Sequence, residues 1–419
     1  AFRADDRDNF DDELFVFDLT NLATAAPVRV TTAISDVTSE SEYGWIPGTN
    51  KLLYISDELV SGDDALMFYD ADTGAAPVEV NDPLVTFGDV FEFAVSPDGQ
   101  YALYVADQDV ASANRIYLVD VSGATPGAPL EFTGAVDASA DVGISEGDIG
   151  FSPNGEWVHY LVNFSGSGGD ELYVRSVLNQ SDPPVRLSQD LSSASTFQDV
   201  NEVVWSPDGR RIAYRGDVLT SSEELLFVAD TLVPGSPIDV TPALVTGADV
   251  NSITDEDFAW DPDGEFVIFN VDANSTSSDE LYVTFLDDAG NPVRVFANGL
   301  QNDSLSVKVA DDGSGLFTVA QLNGSFDAEF FYAEIGAGTV QAPVAINNPS
   351  PFPGSQDVDD EFELVQGGEG VLYWSDEITA DDDEAIFRPI SGGSVGARTV
   401  VNPALPTNGD VDAVVVEEE

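Results

Sequence analysis

The sequence predicts an all-β protein made of a repeated four-stranded unit, and three observations support this. A turn of the Ser-Pro-Asp-Gly type recurs at intervals of about fifty residues, short segments rich in aromatic and β-branched residues follow each copy, and helical periodicity is absent. Recurrence of one turn indicates a repeat architecture whose neighbouring units share a core. With 43% hydrophobic and 10% aromatic residues, the 419-residue chain has enough apolar material for such a core.

The repeated turn contains Pro, then Asp or Asn, then Gly. Its clear copies lie at 95–99, 151–155, 205–209 and 260–264, and weaker copies lie at 45–48, 309–313 and 365–368. Proline fixes φ at the second position of a turn, and glycine adopts the positive φ that the turn requires. We therefore predict that each copy is a structural turn between the first and second strands of a unit.

The remaining strands of each unit follow in a constant order. A second strand rich in Tyr and Val leads into an acidic loop, and a third strand of the Glu-Leu-Tyr-Val type comes next, as at 171–174 and 280–283. The fourth strand begins with proline and alternates charged with apolar residues, as at 184–187. Proline cannot donate to a β-ladder and charge discourages further pairing, so the fourth strand is predicted to be an edge strand.

Four strands per unit, with an edge strand last, predict the blades of a β-propeller, and the count of third and fourth strands predicts eight blades in a single ring. Seven blades are expected at approximately 36–88, 89–140, 141–198, 199–248, 249–302, 303–356 and 357–409. The eighth is expected to be shared, with three strands from 1–35 and the innermost strand from 410–419, which closes the ring. Because these two segments together are shorter than a full repeat, we expect the natural chain to extend past one or both ends.

The turns, together with Tyr-Val-Ala-Asp at 104–107 and Glu-Leu-Tyr-Val at 171–174, resemble the TolB-like Pro-Asp repeat propellers, which are WD40-like. The resemblance covers the whole chain and is strongest at 96–99, 152–155, 206–209 and 261–264. It implies the fold and not the function, since that family includes periplasmic scaffolds, propellers attached to peptidases and some polysaccharide lyases.

The charge of the chain excludes several classes of partner. Asp and Glu number 77 against 14 Lys and Arg, which gives a formal net charge of −63. Nucleic acids and anionic membranes are bound through basic patches, so neither is an expected partner. The whole-chain excess is typical of a solvated surface suited to high salt, where screening relieves self-repulsion, and we favour this halophilic interpretation over a general role in collecting cations.

Cysteine and long apolar segments are both missing from the sequence. Without Cys, disulfides, thiolate metal sites and cysteine nucleophiles are excluded. No run approaches the eighteen or so apolar residues of a membrane-spanning helix, and the chain contains no signal peptide. The resemblance to periplasmic scaffolds favours a secreted, periplasmic or cell-surface protein whose signal lies outside this chain.

Acidic residues concentrate in loops that are predicted to open on one face of the ring, as the resemblance implies. Clusters of carboxylates in short loops are predicted to bind a cation such as Ca²⁺, the only cofactor expected, because hard oxygen ligands suit that ion. The candidate ligands are Asp5, Asp6, Asp8, Asp57, Asp63, Asp64, Asp376, Asp381, Asp382 and Asp383.

A second set of Asp residues precedes the first strands and is the candidate surface for a partner. These residues are Asp36, Asp89, Asp141, Asp199, Asp249, Asp303, Asp357 and Asp410. For this second set, a structural role as acceptors of backbone N–H groups is the favoured alternative.

The preferred function is a non-enzymatic binding scaffold that engages a protein or a glycan on this acidic face. His159 is the single histidine, so a triad with a histidine base, a His-rich zinc site and the His-dependent metal site of the related lyases are not expected. No catalytic residue is assigned. A glycan-active hydrolase or lyase that uses carboxylates in the central channel is one alternative, and a self-assembling surface subunit is another.

Overall fold

The computed structural model describes most of the chain. The described residues are 1–4, 13–19, 26–31, 43–60, 62–111, 113–134, 141–142, 149–163, 169–191, 198–219, 224–242, 250–251, 258–271, 273, 280–288, 291–296, 302–322, 328–336, 338–347, 358–379 and 382–402. The regular elements in these ranges are β-strands, apart from short 3₁₀ segments such as Leu286–Asp288 and Gln366–Gly368. Within these ranges no helix has the length and apolar character needed to cross a membrane.

The strands follow one another in short antiparallel groups. The first half of the chain forms β1 Phe2–Ala4, β2 Glu13–Val16, β3 Val28–Arg29, β4 Tyr43–Trp45, β5 Lys51–Val60, β6 Asp63–Asp70, β7 Val78–Glu79, β8 Val90–Val95, β9 Tyr101–Ala106, β10 Arg115–Asp120, β11 Leu130–Glu131, β12 Asp141–Val142, β13 Ile149–Phe151, β14 Trp157–Asn163, β15 Glu171–Ser176 and β16 Val185–Arg186. The second half forms β17 Val200–Trp205, β18 Arg211–Gly216, β19 Leu225–Asp230, β20 Ile238–Asp239, β21 Val250–Asn251, β22 Phe258–Trp260, β23 Phe266–Val271, β24 Glu280–Phe285, β25 Val293–Arg294, β26 Asn302–Val309, β27 Gly315–Leu322, β28 Ala328–Gly336, β29 Thr339–Val340, β30 Val344–Ala345, β31 Val358–Val365, β32 Gly370–Thr379, β33 Asp382–Ser391, β34 Ser394–Val395 and β35 Thr399–Val400.

These strands form eight successive antiparallel sheets in the described part of the chain, which we number in chain order. Their strand orders are β1-β2-β3, β4-β5-β6-β7, β8-β9-β10-β11, β12-β14-β15-β16 with β13 on β14, β17-β18-β19-β20, β21-β23-β24-β25 with β22 on β23, β26-β27-β28-β29 with β30 on β28, and β31-β32-β33-β34 with β35 on β33. The all-β class is confirmed. The strand predicted at 410–416, which would complete the first sheet, lies outside the described residues.

The proline-led fourth strands lie at the edges of their sheets, as predicted. In seven of the eight sheets the edge is held by a small polar side chain just after the fourth strand, which accepts a hydrogen bond from the backbone N–H of the third strand and so extends the ladder; the sixth sheet has Phe296 at this position. The acceptors are Thr31 for Leu14, Asn81 for Leu66, Thr133 for Ile116, Ser188 for Leu172, Thr241 for Leu226, Asn347 for Phe330 and Asn402 for Ala385. The sequence interpretation missed this recurring Ser, Thr or Asn.

The chain divides into two compact units, 1–203 with 230–236 and 204–229 with 237–419. Within each unit the core lies between neighbouring sheets. Leu53, Phe68 and Tyr104 pack between the second and third sheets, and Phe269 and Tyr282 belong to the core between the fifth and sixth. A sheet that lies between two others of its own unit buries both faces against them, so its two central strands are continuous apolar runs.

The Pro-Asp-Gly turns have the predicted geometry. Gly99 adopts a φ of 68°. The Ser96 hydroxyl donates to Asp98 Oδ1 at 2.7 Å, and its oxygen accepts the N–H of Tyr101 at 2.9 Å. The same pairs recur at Ser152 with Asn154 and at Ser206 with Asp208. The serine and the aspartate of the motif are therefore both parts of the turn.

Successive turns also contact one another along each unit. A Cβ added to Gly99 would lie 2.6 Å from the carbonyl oxygen of Pro47 in the preceding turn. In the second unit the N–H of Asp311 donates to the carbonyl of Gly367 at 3.0 Å. Glycine is therefore required at 99 both for its positive φ and for this close approach.

Candidate binding surface

Acidic loops of the second and third sheets meet at the ends of their second strands. We call the segments 57–64, 84–91 and 107–111 the loop face. Its centre is Asp89, whose Oδ1 accepts the N–H of Asp64 at 2.9 Å. The N–H of Asp89 donates to Asp107 Oδ1 at 2.6 Å, and the N–H of Asp107 donates to the Asp89 carbonyl at 3.2 Å. Asp89 thus joins the third strand of one sheet to the first strand of the next.

Asp199 has the same position before the first strand of the fifth sheet. Its Oδ1 accepts the N–H of Asp170 at 2.8 Å, and the N–H of Val200 donates to the Asp170 carbonyl at 3.1 Å. A side chain at Gly169 would collide with the carbonyl of Gln198. At both positions the aspartate accepts a backbone N–H from the preceding sheet. This is the acceptor role given above as the favoured alternative, and here it links two sheets.

The other members of this predicted partner-binding set are not described to the same depth. Asp141 and Asp303 lie on β12 and β26, and their side chains lie outside the described part. Asp36, Asp249, Asp357 and Asp410 lie outside the described residues altogether. Their part in binding a partner stays a prediction.

The hairpin formed by the end of β5 and the start of β6 contains the best-described of the predicted cation clusters. Asp57 Oδ2 accepts the N–H of Gly62 at 3.1 Å, which closes the hairpin between β5 and β6. Glu58 points inward instead and accepts the Tyr54 hydroxyl at 2.6 Å. Burial raises the pKa of Tyr54, and the adjacent Glu58 carboxylate raises it further. Asp64 stays exposed at the surface of this loop.

Asp57, Asp63 and Asp64 do not form a cluster with the geometry of a metal site. Across the described ranges, no group of three or more His, Asp or Glu side chains could hold a metal ion. Asp5, Asp6, Asp8 and Asp381 lie outside these ranges, and Asp376, Asp382 and Asp383 lie on β32 and β33 with side chains outside them. Calcium binding at those two loops stays a prediction.

Both lysines of the chain donate to backbone carbonyls of the following sheet. Lys51 Nζ lies 3.0 Å from the carbonyl oxygen of Ser122 and 2.5 Å from that of Gly123. Lys308 Nζ lies 2.6 Å from the carbonyl oxygen of Phe362. Both lysines therefore join neighbouring sheets. Lys51 does so at the start of β5, at the strand end opposite to the loop face.

Three arginines pair with buried glutamates at sheet edges among the described residues. The pairs are Glu13 with Arg29 at 3.0 Å, Glu171 with Arg186 at 3.1 Å and Glu280 with Arg294 at 2.6 Å. In each, glutamate begins the third strand and arginine lies in the fourth. Around Glu171, burial and then the carboxylate raise the pKa of Tyr173 to about 12. The signal in the sequence was Glu-Leu at the start of the third strand together with Val-Arg in the fourth strand of the same repeat. The sequence interpretation missed it.

His159 is a packed residue of β14. It is buried, and a Cβ on Gly150 of the neighbouring strand would lie 2.6 Å from its Cε1, so the imidazole covers that glycine. The imidazole therefore has a packing role between β13 and β14.

A cavity of about 510 Å³ in the second unit was not foreseen from the sequence. Its walls combine Phe266, Phe285, Leu286 and Ile335 with Arg211, Asp263, Glu265, Asp287 and Asp312. Asp261 also lines this cavity; it replaces the serine found in the sister turns and is 2% exposed. Burial raises the pKa of Asp261 above its ordinary value of 3.8, against the hydrogen bonds that Phe266 and Asp263 donate to it.

Replacing Asp261 by serine is expected to stabilise the protein by about 1 kcal/mol at neutral pH. Serine would accept the N–H of Phe266 and donate to Asp263, as Ser96 does with Tyr101 and Asp98, without a buried charge. The pKa of Asp261 is higher in the folded state than its ordinary value of 3.8, so the folded wild type binds a proton more tightly than the unfolded chain does. The wild type therefore loses stability as the pH rises from 3.8 through the folded-state pKa.

Urea denaturation of wild type and Asp261→Ser at several pH values measures both effects. The stability gained by Asp261→Ser over the wild type should be smallest at low pH and should grow as the pH rises through the folded-state pKa of Asp261. Ser206→Asp, the reverse change in a sister turn, is the matched control and should destabilise. A loss of stability in Asp261→Ser at every pH would contradict the account.

No protein-family model matches the chain, and the search of curated proteins found no match. Among solved structures, dipeptidyl peptidase 4 of Porphyromonas gingivalis is 13% identical, with a TM-score of 0.50 over 86% of this chain and 53% of that one. A prolyl endopeptidase structure is 11% identical, with a TM-score of 0.41 over 87% and 50%, and a putative TolB of Agrobacterium tumefaciens is 18% identical, with a TM-score of 0.31 over 63% and 83%. The chain spans about half the length of the two peptidase structures. The similarity shows the fold alone, and that fold is of the β-propeller type.

Proposed function

We propose that the chain is a non-enzymatic binding scaffold whose loop face engages a cationic protein partner. The observation that carries this proposal is the one-sided charge of the loop face. Between residues 43 and 111 the chain has a single basic residue, Lys51, whose amine donates to the carbonyls of Ser122 and Gly123. The same stretch contributes Asp57, Asp64 and many other carboxylates.

A surface of this kind attracts a basic partner at long range and fixes its orientation at short range. The loops that carry the charge are held by the hydrogen bonds of Asp57, Asp89 and Asp107. Because the backbone is already organised, binding costs little loop entropy. The partner is proposed to meet the scaffold outside the cytoplasm or at the cell surface, and Ca²⁺ is proposed to bind the acidic loops near 5–8 and 376–383.

The scaffold is proposed to have eight blades in one ring. Eight successive sheets in the described residues support the count. The first sheet contains β1, β2 and β3 but no described inner strand, and the segment 410–416 is rich in valine and begins with the Asp-Val pair that opens other first strands. We propose that this segment pairs with β1 and completes the blade. The similarity to the peptidase structures concerns fold at 13% identity or less, and no peptidase activity is proposed.

Binding of cytochrome c, a small basic protein, tests the proposal. We expect saturable binding whose association constant falls about tenfold or more between roughly 0.05 and 0.3 M KCl, because salt screens the attraction. The variant Asp57→Asn/Asp63→Asn/Asp64→Asn should weaken binding at the lower salt concentration, and asparagine keeps the oxygen that accepts the Gly62 N–H.

The matched control is Asp72→Asn/Glu156→Gln/Asp182→Asn, which removes the same formal charge from exposed positions in turns at the opposite strand ends. It should affect binding much less. Equal weakening by the two triple variants would mean that only total charge matters and would contradict a specific loop face.

A further inference from the structure

The loop face contains an exposed aromatic side chain on an unfavourable backbone. Phe87 is 81% exposed, and its φ is 64°. Of the described non-glycine residues, Phe87 is the one with a positive φ. A bulky L-residue is rarely found there, because the conformation is strained. Neither burial nor backbone preference accounts for phenylalanine at this position.

The turn that presents Phe87 is held on both sides. The N–H of Gly88 donates to the Val85 carbonyl at 2.9 Å, and the N–H of Val85 donates to the Gln108 carbonyl at 3.1 Å. On the far side, the N–H of Asp89 donates to Asp107 Oδ1 at 2.6 Å. The surrounding hydrogen bonds therefore impose the strained conformation, and the ring projects from a fixed support.

A second phenylalanine is exposed four residues later. Phe91 is 39% exposed and lies at a β-bulge, where Val90 pairs with Ala106 and Glu92 pairs with Val105. Bulges re-aim side chains away from the regular pleat. A register shift also occurs at the corresponding place in β26, between Ser304 and Ser306. The bulge is therefore a feature of the repeat, whereas the aromatic residue at the bulge is particular to the third sheet.

Further apolar side chains are exposed on the segments joined to this turn. Leu59 and Val60 are 50% and 56% exposed at the tip of the β5–β6 hairpin, whose Asp64 donates to Asp89. Val110 is 53% exposed, just after the Gln108 carbonyl that holds Val85. Apolar residues gathered in one region of a soluble protein mark an interaction surface more often than scattered ones do.

Charge decides which partner suits this surface. Asp57, Asp63, Asp64, Asp89 and Asp109 lie on the same three segments as the apolar side chains. A second copy of this chain, with its formal charge of −63, would be repelled. A segment with an apolar side chain between lysines or arginines would satisfy both the phenylalanines and the carboxylates.

We propose that Phe87 and Phe91 form the apolar anchor of a docking site for a protein segment in which an aliphatic or aromatic side chain is flanked by basic residues. The inference rests on the proposed function and defines the chemistry of the partner at the loop face. Phe87 supplies a rigid ring with little conformational entropy to lose, as the hot-spot aromatics of interfaces do.

The test uses a displayed library of random peptides of about 12 residues, selected on the full chain in about 0.3 M KCl so that charge alone does not dominate. Selected peptides are then synthesised, labelled and titrated by fluorescence anisotropy. We expect sequences that combine basic with aromatic or aliphatic residues, and an affinity about tenfold weaker for Phe87→Gly. Leu178→Gly, a change at a 71% exposed residue between β15 and β16, is the matched control and should leave affinity unchanged.

Thermal unfolding separates binding from structure. Glycine accepts a positive φ without strain and Phe87 packs against little, so Phe87→Gly should unfold at the same temperature as the wild type or above it. Weaker peptide binding without a loss of stability supports the anchor. The anchor is overturned if no peptide is selected, if selected peptides bind Phe87→Gly as they bind the wild type, or if stability falls together with affinity. If cytochrome c still distinguishes the two triple variants, the proposed function survives such a failure.

Discussion

Replacing Glu171 by alanine is expected to lower the free energy of unfolding by about 3 kcal/mol. The Glu171 side chain is 5% exposed and lies 3.1 Å from Arg186 Nη1. It also accepts the N–H of Leu191 at 2.6 Å and the hydroxyl of Tyr173 at 3.1 Å. Its loss leaves a backbone N–H and a guanidinium without this acceptor. The cost stays near the lower end of the range for buried pairs because the Arg186 side chain is 32% exposed.

Glu329 provides a matched control for Glu171. It is the second residue of β28, the third strand of the seventh sheet, and directly precedes Phe330 as Glu171 precedes Leu172; the fourth-strand position of Arg186 is taken there by Ala345. Glu329→Ala is therefore expected to cost less than about 1 kcal/mol. Urea denaturation of both variants measures the difference. Equal costs would show that the glutamate–arginine pairs do not support the sheet edges.

Salt is expected to raise the thermal unfolding midpoint by roughly 5–10 °C between about 0.05 and 2 M KCl. The cause is the formal net charge of −63, which opposes the compact state until counterions screen it. The Debye length falls from about 10 Å at 0.1 M to about 3 Å at 1 M. Much of the rise in the unfolding midpoint should therefore be complete by about 1 M KCl. Differential scanning calorimetry measures the shift.

Two control solutions identify the origin of that shift. Sorbitol at matched osmolality, which does not screen charge, should produce less stabilisation than KCl. Calcium chloride at matched ionic strength tests the predicted calcium loops, because an ion that binds only the folded state adds its own stabilisation. An equal shift with both salts would contradict calcium binding, and a midpoint that is flat in KCl would contradict relief of self-repulsion.

The features predicted correctly from the sequence are local. Proline and glycine at 97 and 99 define a turn because both restrict φ within a few residues, and the structure has that turn with Gly99 at a φ of 68°. The edge strand at Val185–Arg186 was predictable because proline precedes it and charge lies within it. Repetition strengthened each local signal, since the same pattern recurs along the chain.

The features missed from the sequence depend on which sheets become neighbours. That Asp89 accepts a backbone N–H was the favoured alternative, but its donor, the N–H of Asp64 on another sheet, is known only once the two sheets are placed side by side. The cavity beside Asp261 likewise draws residues from several strands. The positive φ of Phe87 runs against the preference of its residue type, so no propensity argument would find it.

The affinity of the full chain for cytochrome c, compared between the two triple variants at low and moderate salt, tests the central claim most directly. The account predicts that Asp57→Asn/Asp63→Asn/Asp64→Asn binds clearly more weakly than Asp72→Asn/Glu156→Gln/Asp182→Asn at low salt, and that the difference shrinks as salt is added. Identical affinities for the two variants at every salt concentration would contradict the assignment of the loop face as the binding surface.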